Sequence, residues 1–211
     1  MRAQPQFPNE QTGTGEFKRQ SDAFRHWVTE DGRSGYPAAA GRYHLYVSLA
    51  CPWAHRTIIV RALKGLTGVI GMTVVDPIRD DRGWAFRNGP GHSLDTTNGF
   101  HFLSEAYRAT DPNYHGRVTV PVLWDTVTKR IVTNSDDDLM RIFNGEFNRF
   151  TTSRLDLYPA ALRPQIDEMN DFVYERVNDG VYRAGFATSQ QVYERAARAV
   201  CVALDQLDTR L

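Results

Sequence analysis

Neither sign of charge is in excess in this chain: 25 lysines and arginines balance 25 aspartates and glutamates, and the formal net charge over 211 residues is zero. A neutral chain has no field with which to gather phosphate backbones or anionic lipid, so neither nucleic acid nor a membrane surface is expected as a partner. Long apolar runs are missing as well. Nothing approaches the roughly 18 residues of a membrane-spanning helix, and the polar start MRAQPQFPNEQTGTGEFKRQ has no signal-peptide core. The expected location is cytoplasmic. Cysteine is scarce: Cys51 and Cys201 stand far apart, which excludes a disulfide framework, and the histidines show no ligand spacing, so no metal is expected. The 41% hydrophobic and 11% aromatic content is that of a packed protein.

The first forty residues, rich in Gly, Pro, Gln and Ser, read as an extension (1–40) lying loosely on a core, with an amphipathic patch at Phe24, Trp27 and Val28. A β-rich run at Tyr43–Val47 leads through Cys51-Pro52, where proline suits the first turn of a helix. Ala54, Ile58, Ala62 and Leu66, with Ile59 and Leu63 beside them, form a helical apolar stripe. Val69–Val75 reads as the next strand, completing a βαβ unit with parallel strands. The long polar connection 76–117 is broken by a helical patch at Phe102, Ala106 and Tyr107. A strand at Val118–Trp124 follows; its Pro121 implies an edge, a bulge or a cis bond. Next come a short strand at Ile131-Val132 and a helix capped at Asn134-Ser135-Asp136. This order is that of a thioredoxin-like α/β domain, 41–145. Beyond 153 the pattern is helical only: one stripe of Ile166, Met169, Val173 and Val177 stops at Asn178-Asp179-Gly180. A second, capped at Thr188 and Gln191, carries Val192, Ala196, Val200, Ala203 and Leu207. Two such stripes need further cover, so 153–211 reads as a partial helical domain.

Cys51 carries the chemistry. At a strand-to-helix junction the unpaired N–H groups and the positive end of the helix dipole favour a thiolate, the nucleophile of disulfide exchange. The residue three positions on is Ala54, so no local disulfide forms. A mixed disulfide on Cys51 therefore needs an external small-molecule thiol to resolve it. Cys201, among Ala199, Val200 and Val202, reads as a small core residue.

The stretch GRYHLYVSLACPWAHRT (41–57) resembles the signature of the Xi-class glutathione transferases, the glutathionyl-hydroquinone reductases. VDPIRDDRGW (75–84), FLSEAY (102–107), RVTVPVLWD (117–125) and NDGVYRAGFA (178–187) agree in the same order. The resemblance implies an N-terminal thioredoxin-like domain followed by an all-α transferase-type domain, incomplete because family members continue through more helices than this chain holds. It also implies a homodimer. The implied reaction is removal of glutathione from S-glutathionyl-hydroquinones through a cysteine mixed disulfide. Cys51 is then the catalytic residue, Trp84 contacts the tripeptide, and the backbone at Val120-Pro121 bonds its cysteinyl part across a cis proline. Ser135 and Asp136 lie where the γ-glutamyl end is held, and Tyr182 lines the hydroquinone pocket. The same residues leave open glutaredoxin-like removal of glutathione from disulfides, and a thiol-binding remnant without turnover.

One motif departs from the family. Where its members usually read Asn-Glu-Ser-Ser-Glu, with the glutamate taking the γ-glutamyl ammonium and the serine its carboxylate, this chain has Asn134-Ser135-Asp136-Asp137-Asp138. Glutathione is the cosubstrate that the resemblance implies. Mycothiol, a sugar thiol without the γ-glutamyl group, is the alternative that the departure suggests.

Overall fold

The structure, a computed structural model, describes residues 7–211, so the first six residues of the expected extension lie outside the described residues. The described chain divides into two compact units: Asp22–Leu157, and residues 7–21 together with Tyr158–Leu211. The extension is thus shared between the units and does not form one piece.

The first unit is built on a four-stranded sheet in the order β2-β1-β3-β4. Strand β1 (Tyr43–Val47) runs parallel to β2 (Gly71–Val74) and antiparallel to β3 (Val122–Asp125), which pairs antiparallel with β4 (Arg130–Thr133). Helix α1 (Pro52–Leu63) supplies the crossover between β1 and β2, and packs against α3 (Asp136–Gly145); α2 (Leu103–Thr110) packs against β4. β1 and β3 are central strands and are buried almost throughout, His44 being the half-exposed member. Burial lowers the His44 pKa from its usual value, and the ring bonds Thr73 Oγ1 at 2.7 Å and Thr97 Oγ1 at 3.1 Å.

Two sequence expectations need correction here. The apolar stripe of α1 is buried only in part: Ala54 and Leu66 are buried and Ile58 partly so, but Ile59, Ala62 and Leu63 are exposed, and the buried face also takes in Trp53, Thr57, Val60 and Arg61. Arg61 can be buried because its guanidinium donates to the carbonyls of Ile70 and Thr67, which close the turn after the helix. Nor is residues 22–40 a loose cover. His26 N–H donates to Val132 O at 3.0 Å, Asn134 N–H to Phe24 O at 3.1 Å, and Val28 is fully buried, so residues 24–26 run beside β4. Lys64, buried at the end of α1, donates from Nζ to Asn148 Oδ1 and Leu155 O, tying down the chain after α3.

The second unit is helical: α4 (Arg163–Val173), a π-helical turn at Tyr174–Asn178, α5 (Gly180–Gly185) and α6 (Gln190–Arg210). Gly180, read as a helix stop, instead opens α5. A Cβ there would lie 3.0 Å from Val200 Cγ2, so glycine lets α5 and α6 approach closely. The cap of α6 is Ser189, whose Oγ accepts from Val192 N–H at 3.4 Å, one residue beyond the expected Thr188. Residues 7–21 join this unit through Gln11 Nε2, which donates to Phe186 O, and Thr188 N–H, which donates to Gly15 O. Cys201 is exposed, against the expectation of a core position: of the 21 residues of α6, only Val192 and Ala203 are buried.

Candidate active site

The sheet topology gathers the site. β1 ends at Val47 beside the start of β3, since Tyr46 pairs with Val122, and β4 ends at Thr133 opposite Leu123. β2 runs parallel to β1, so its last residue, Val74, lies at the same end. Four segments therefore emerge together: the one carrying Cys51, the loop carrying Trp84, the Val120-Pro121 pair and the Ser135-Asp136 pair.

Cys51 is the N-cap of α1, with extended φ/ψ of −106° and 111°, and Pro52 occupies the first helical position. Its N–H donates to Ser48 O, and its carbonyl accepts from His55 N–H at 3.0 Å, the first helical bond. The side chain makes no cap bond to the helix, so Sγ stands at the positive end of α1 without spending itself on the backbone there. It is half-buried, with Sγ 3.7 Å from Val120 O. That carbonyl immediately precedes the cis Val120-Pro121 bond. Of the possibilities read for Pro121, the cis bond is the one realised, and the strand begins only after it, at Val122.

Trp84 is half-buried in the connection after β2, with the Arg79 guanidinium 5.0 Å from its ring centre. Its carbonyl accepts from Leu103 N–H at the start of α2. The connection is ordered by its own charges: Arg87 bonds Asp76 and Asp80, and Arg82 bonds Asp80. Arg82 first, then Arg87, hold the Asp80 carboxyl well below its ordinary range, and the Ile78 N–H and then Arg87 lower that of Asp76.

Ser135 caps α3, its Oγ accepting from Asp138 N–H at 3.3 Å. Asp136 begins the helix and is 5% exposed. Its Oδ2 accepts from both Nε and Nη2 of Arg56, which projects from α1 little more than one turn past Cys51. Sequence reasoning missed Arg56. The only local signal was its place on the same helix as the thiol, and its partner lies 80 positions away.

Tyr182 belongs to the other unit. There it is half-buried, stacked on Phe17 at 6.4 Å between ring centres and 5.7 Å from Phe186. Among the described residues no group of three or more His, Cys, Asp or Glu side chains could hold a metal ion, and no helix is long and apolar enough to cross a membrane.

The sequence profile of the glutathione S-transferase N-terminal domain matches residues 50–139, the span from the residue before Cys51 through the first turn of α3. The solved glutathione S-transferase Xi from Phanerochaete chrysosporium is 46% identical with a TM-score of 0.89, covering 92% of this chain and 67% of that one. This chain belongs to the Xi-class glutathione transferase, or glutathionyl-hydroquinone reductase, family. The glutathionyl-hydroquinone reductase YqjG of Escherichia coli is 47% identical over 201 residues, which is 92% of this chain and 61% of that protein. PcpF of Sphingobium chlorophenolicum, of the same description, is 44% identical over 197 residues, 93% of this chain and 62% of its own length. The glutathione-bound structure of YqjG superposes with a TM-score of 0.86, covering 89% of this chain and 63% of that one. The chain thus spans about three fifths of the length of these curated relatives.

Proposed function

We propose that this chain is a thiol-dependent reductase that removes a low-molecular-weight thiol, glutathione in the names of its relatives, from hydroquinone thioethers, with Cys51 as nucleophile. One observation carries the reading: Cys51 caps α1 with Sγ beside the Val120 carbonyl at the cis Val120-Pro121 bond. In the proposed first step the Cys51 thiolate attacks the thioether sulfur. The carbon–sulfur bond breaks, its electron pair passes to the aromatic carbon, and that carbon takes a proton, releasing hydroquinone. Sulfur is oxidised to the Cys51 mixed disulfide as carbon is reduced. A second thiol, as thiolate, then attacks that disulfide, releasing the low-molecular-weight disulfide and restoring the Cys51 thiolate.

In this reading the Val120 backbone bonds the cysteinyl part of the thiol, the cis Pro121 turns that backbone toward Cys51, and Trp84 covers the bound peptide. Ser135 and Asp136 face its head group, and Tyr182 contacts the hydroquinone. No second cysteine lies within the turn after Cys51, which supports resolution by a small thiol.

The test is Cys51→Ser. An alcohol of nearly the same volume cannot form the disulfide, so turnover of a hydroquinone thioether should fall by at least about a thousandfold, while the circular dichroism spectrum and thermal midpoint stay close to wild type. Retained turnover would end the mechanism.

A further inference from the structure

The backbone carbonyl beside Cys51 is held from behind. Val120 follows Thr119, and each polar atom of Thr119 is engaged by a side chain from elsewhere in the unit. Thr119 N–H donates to the Tyr107 hydroxyl at 3.2 Å, and that hydroxyl donates in turn to Thr119 O at 3.0 Å. Thr119 Oγ1 accepts from Asn134 Nδ2 at 3.1 Å and lies 3.2 Å from the Tyr107 oxygen. A hydroxyl has one proton and two lone pairs, so the set closes when Thr119 Oγ1 donates to Tyr107. Tyr107 projects from α2 and is fully buried; Asn134, 3% exposed, directly precedes the Ser135 cap of α3. Burial pushes the Tyr107 hydroxyl up, which keeps it protonated and able to donate at neutral pH. Asn134 is engaged on its other side as well: Oδ1 accepts from Phe24 N–H at 2.9 Å, and the Phe24 ring packs on Tyr107 and Tyr114, with ring centres 5.6 and 5.7 Å away. The Tyr114 hydroxyl donates to Arg117 O at 2.7 Å, so the chain approaching the cis bond is gripped at two alternate residues.

We infer that Tyr107, Thr119 and Asn134 are positioning residues: they lock the Val120-Pro121 backbone to the start of α3, so that both surfaces facing the thiol are held as one body, with the segment at Phe24 closing the lock. The inference rests on the Cys51 reading above. Buried polar groups are costly to leave unpaired, and a set in which each group satisfies another admits one arrangement. Cys51 stands on α1, outside the clamp. Loosening the clamp therefore shifts the backbone that binds the thiol and leaves the nucleophile on its own helix. A backbone group displaced by about an ångström forfeits its hydrogen bond to a ligand, so the loss falls on KM and spares the reactivity of the sulfur.

The test uses the full chain in a Cys201→Ser background, which leaves Cys51 as the one thiol. Each variant is read twice: by steady-state reduction of the glutathionyl conjugate of a hydroquinone with glutathione as reductant, and by alkylation of Cys51 with iodoacetamide, which needs no binding site. Thr119→Val keeps the shape without the hydroxyl, and Tyr107→Phe keeps the ring on Phe24. Each should raise KM for the conjugate by about tenfold, with kcat and the alkylation rate within about twofold of wild type. Thr119→Ser, which retains the hydroxyl, should stay within about threefold of the wild-type KM. Because both substitutions open one clamp, the double variant should raise KM no further than the larger single effect. Ile70→Val, a truncation in a fully buried site at the opposite end of the sheet, should leave KM unchanged. An unchanged KM in either single variant, effects that multiply in the double one, alkylation slowed along with turnover, or an equal rise in Ile70→Val overturns the clamp. Turnover that survives Cys51→Ser sinks instead the Cys51 reading beneath it.

Discussion

Residues 22–157 and the helices from 158 onward both carry apolar stripes, yet they bury them to different degrees. All four residues of β3 are buried, as are six of the ten in α3; α4 has none, and α6 has two in 21. The sheet-bearing unit also encloses charge, with Asp125 fully buried and held bidentately by Arg42 at 2.9 and 2.7 Å. The helical unit is held by its own helical turns, the Ser189 cap, and an aromatic cluster in which Phe7 and Phe17 meet Tyr182 and Phe186. Local opening follows buried contact density. The unit that positions Cys51 is therefore the rigid one, which suits the role of nucleophile proposed for it.

The largest effect expected on stability comes from breaking the buried pair. Asp125→Ala strands Arg42 and should cost about 3 to 5 kcal/mol by urea unfolding. Burial pushes the Asp125 carboxyl up, but Arg42, Thr128 and the Val127 N–H together hold it below its ordinary value. The unfolded chain therefore binds the proton first, near pH 4. The stabilisation is present above that pH and is lost as pH falls toward the lower folded value. Asp125→Ala should flatten that acid limb, and an unchanged limb would remove Asp125 from the account.

Next comes a matched pair of leucines. Leu45→Ala, in a fully buried site on β1, should cost about 2 to 5 kcal/mol, and Leu204→Ala, 49% exposed on α6, at most about 0.5. Equal losses would break the contrast between the units, as would equal amide-exchange protection in β3 and α4. A smaller effect is expected where α5 meets α6 in the helical unit: Gly180→Ala brings a methyl against Val200 and should cost about 1 kcal/mol. The smallest is Cys201→Ser, expected within about 0.5 kcal/mol because the thiol is exposed. In wild type, the exposed Cys201 should be alkylated readily by a bulky maleimide. Slow labelling of Cys201 would show that something covers that face of α6.

Much of the site was legible before the fold because its signals are local. Pro52 and the β-to-helix change of pattern mark Cys51 as an N-cap, and Ser135 followed by acidic residues marks the start of α3; both caps form within one turn of chain. Pro121 announced an interruption of its strand, though choosing the cis bond took the fold. The buried face of α1 was misread because its apolar stripe competes with a face that buries Thr57 and Arg61, and a buried arginine is tolerable only where carbonyls from the following turn receive it. Cys201 was misread for the converse reason: apolar neighbours along a helix do not say which side meets another element.

The amino-acid sequence by itself determined the βαβ order, the caps of α1 and α3, the absence of a second cysteine in the turn after Cys51, and the family, because these depend on residues within a few turns of one another or on motifs read in order. Tertiary structure alone decided that Arg56 meets Asp136, that Arg42 meets Asp125, and that Phe24–His26 run beside β4. Those partners are separated by 80 or more positions in the first two cases. Charge complementarity leaves many such pairings open among 25 cations and 25 anions, and only the register of the sheet and the packing of α1 on α3 bring particular ones within hydrogen-bonding distance.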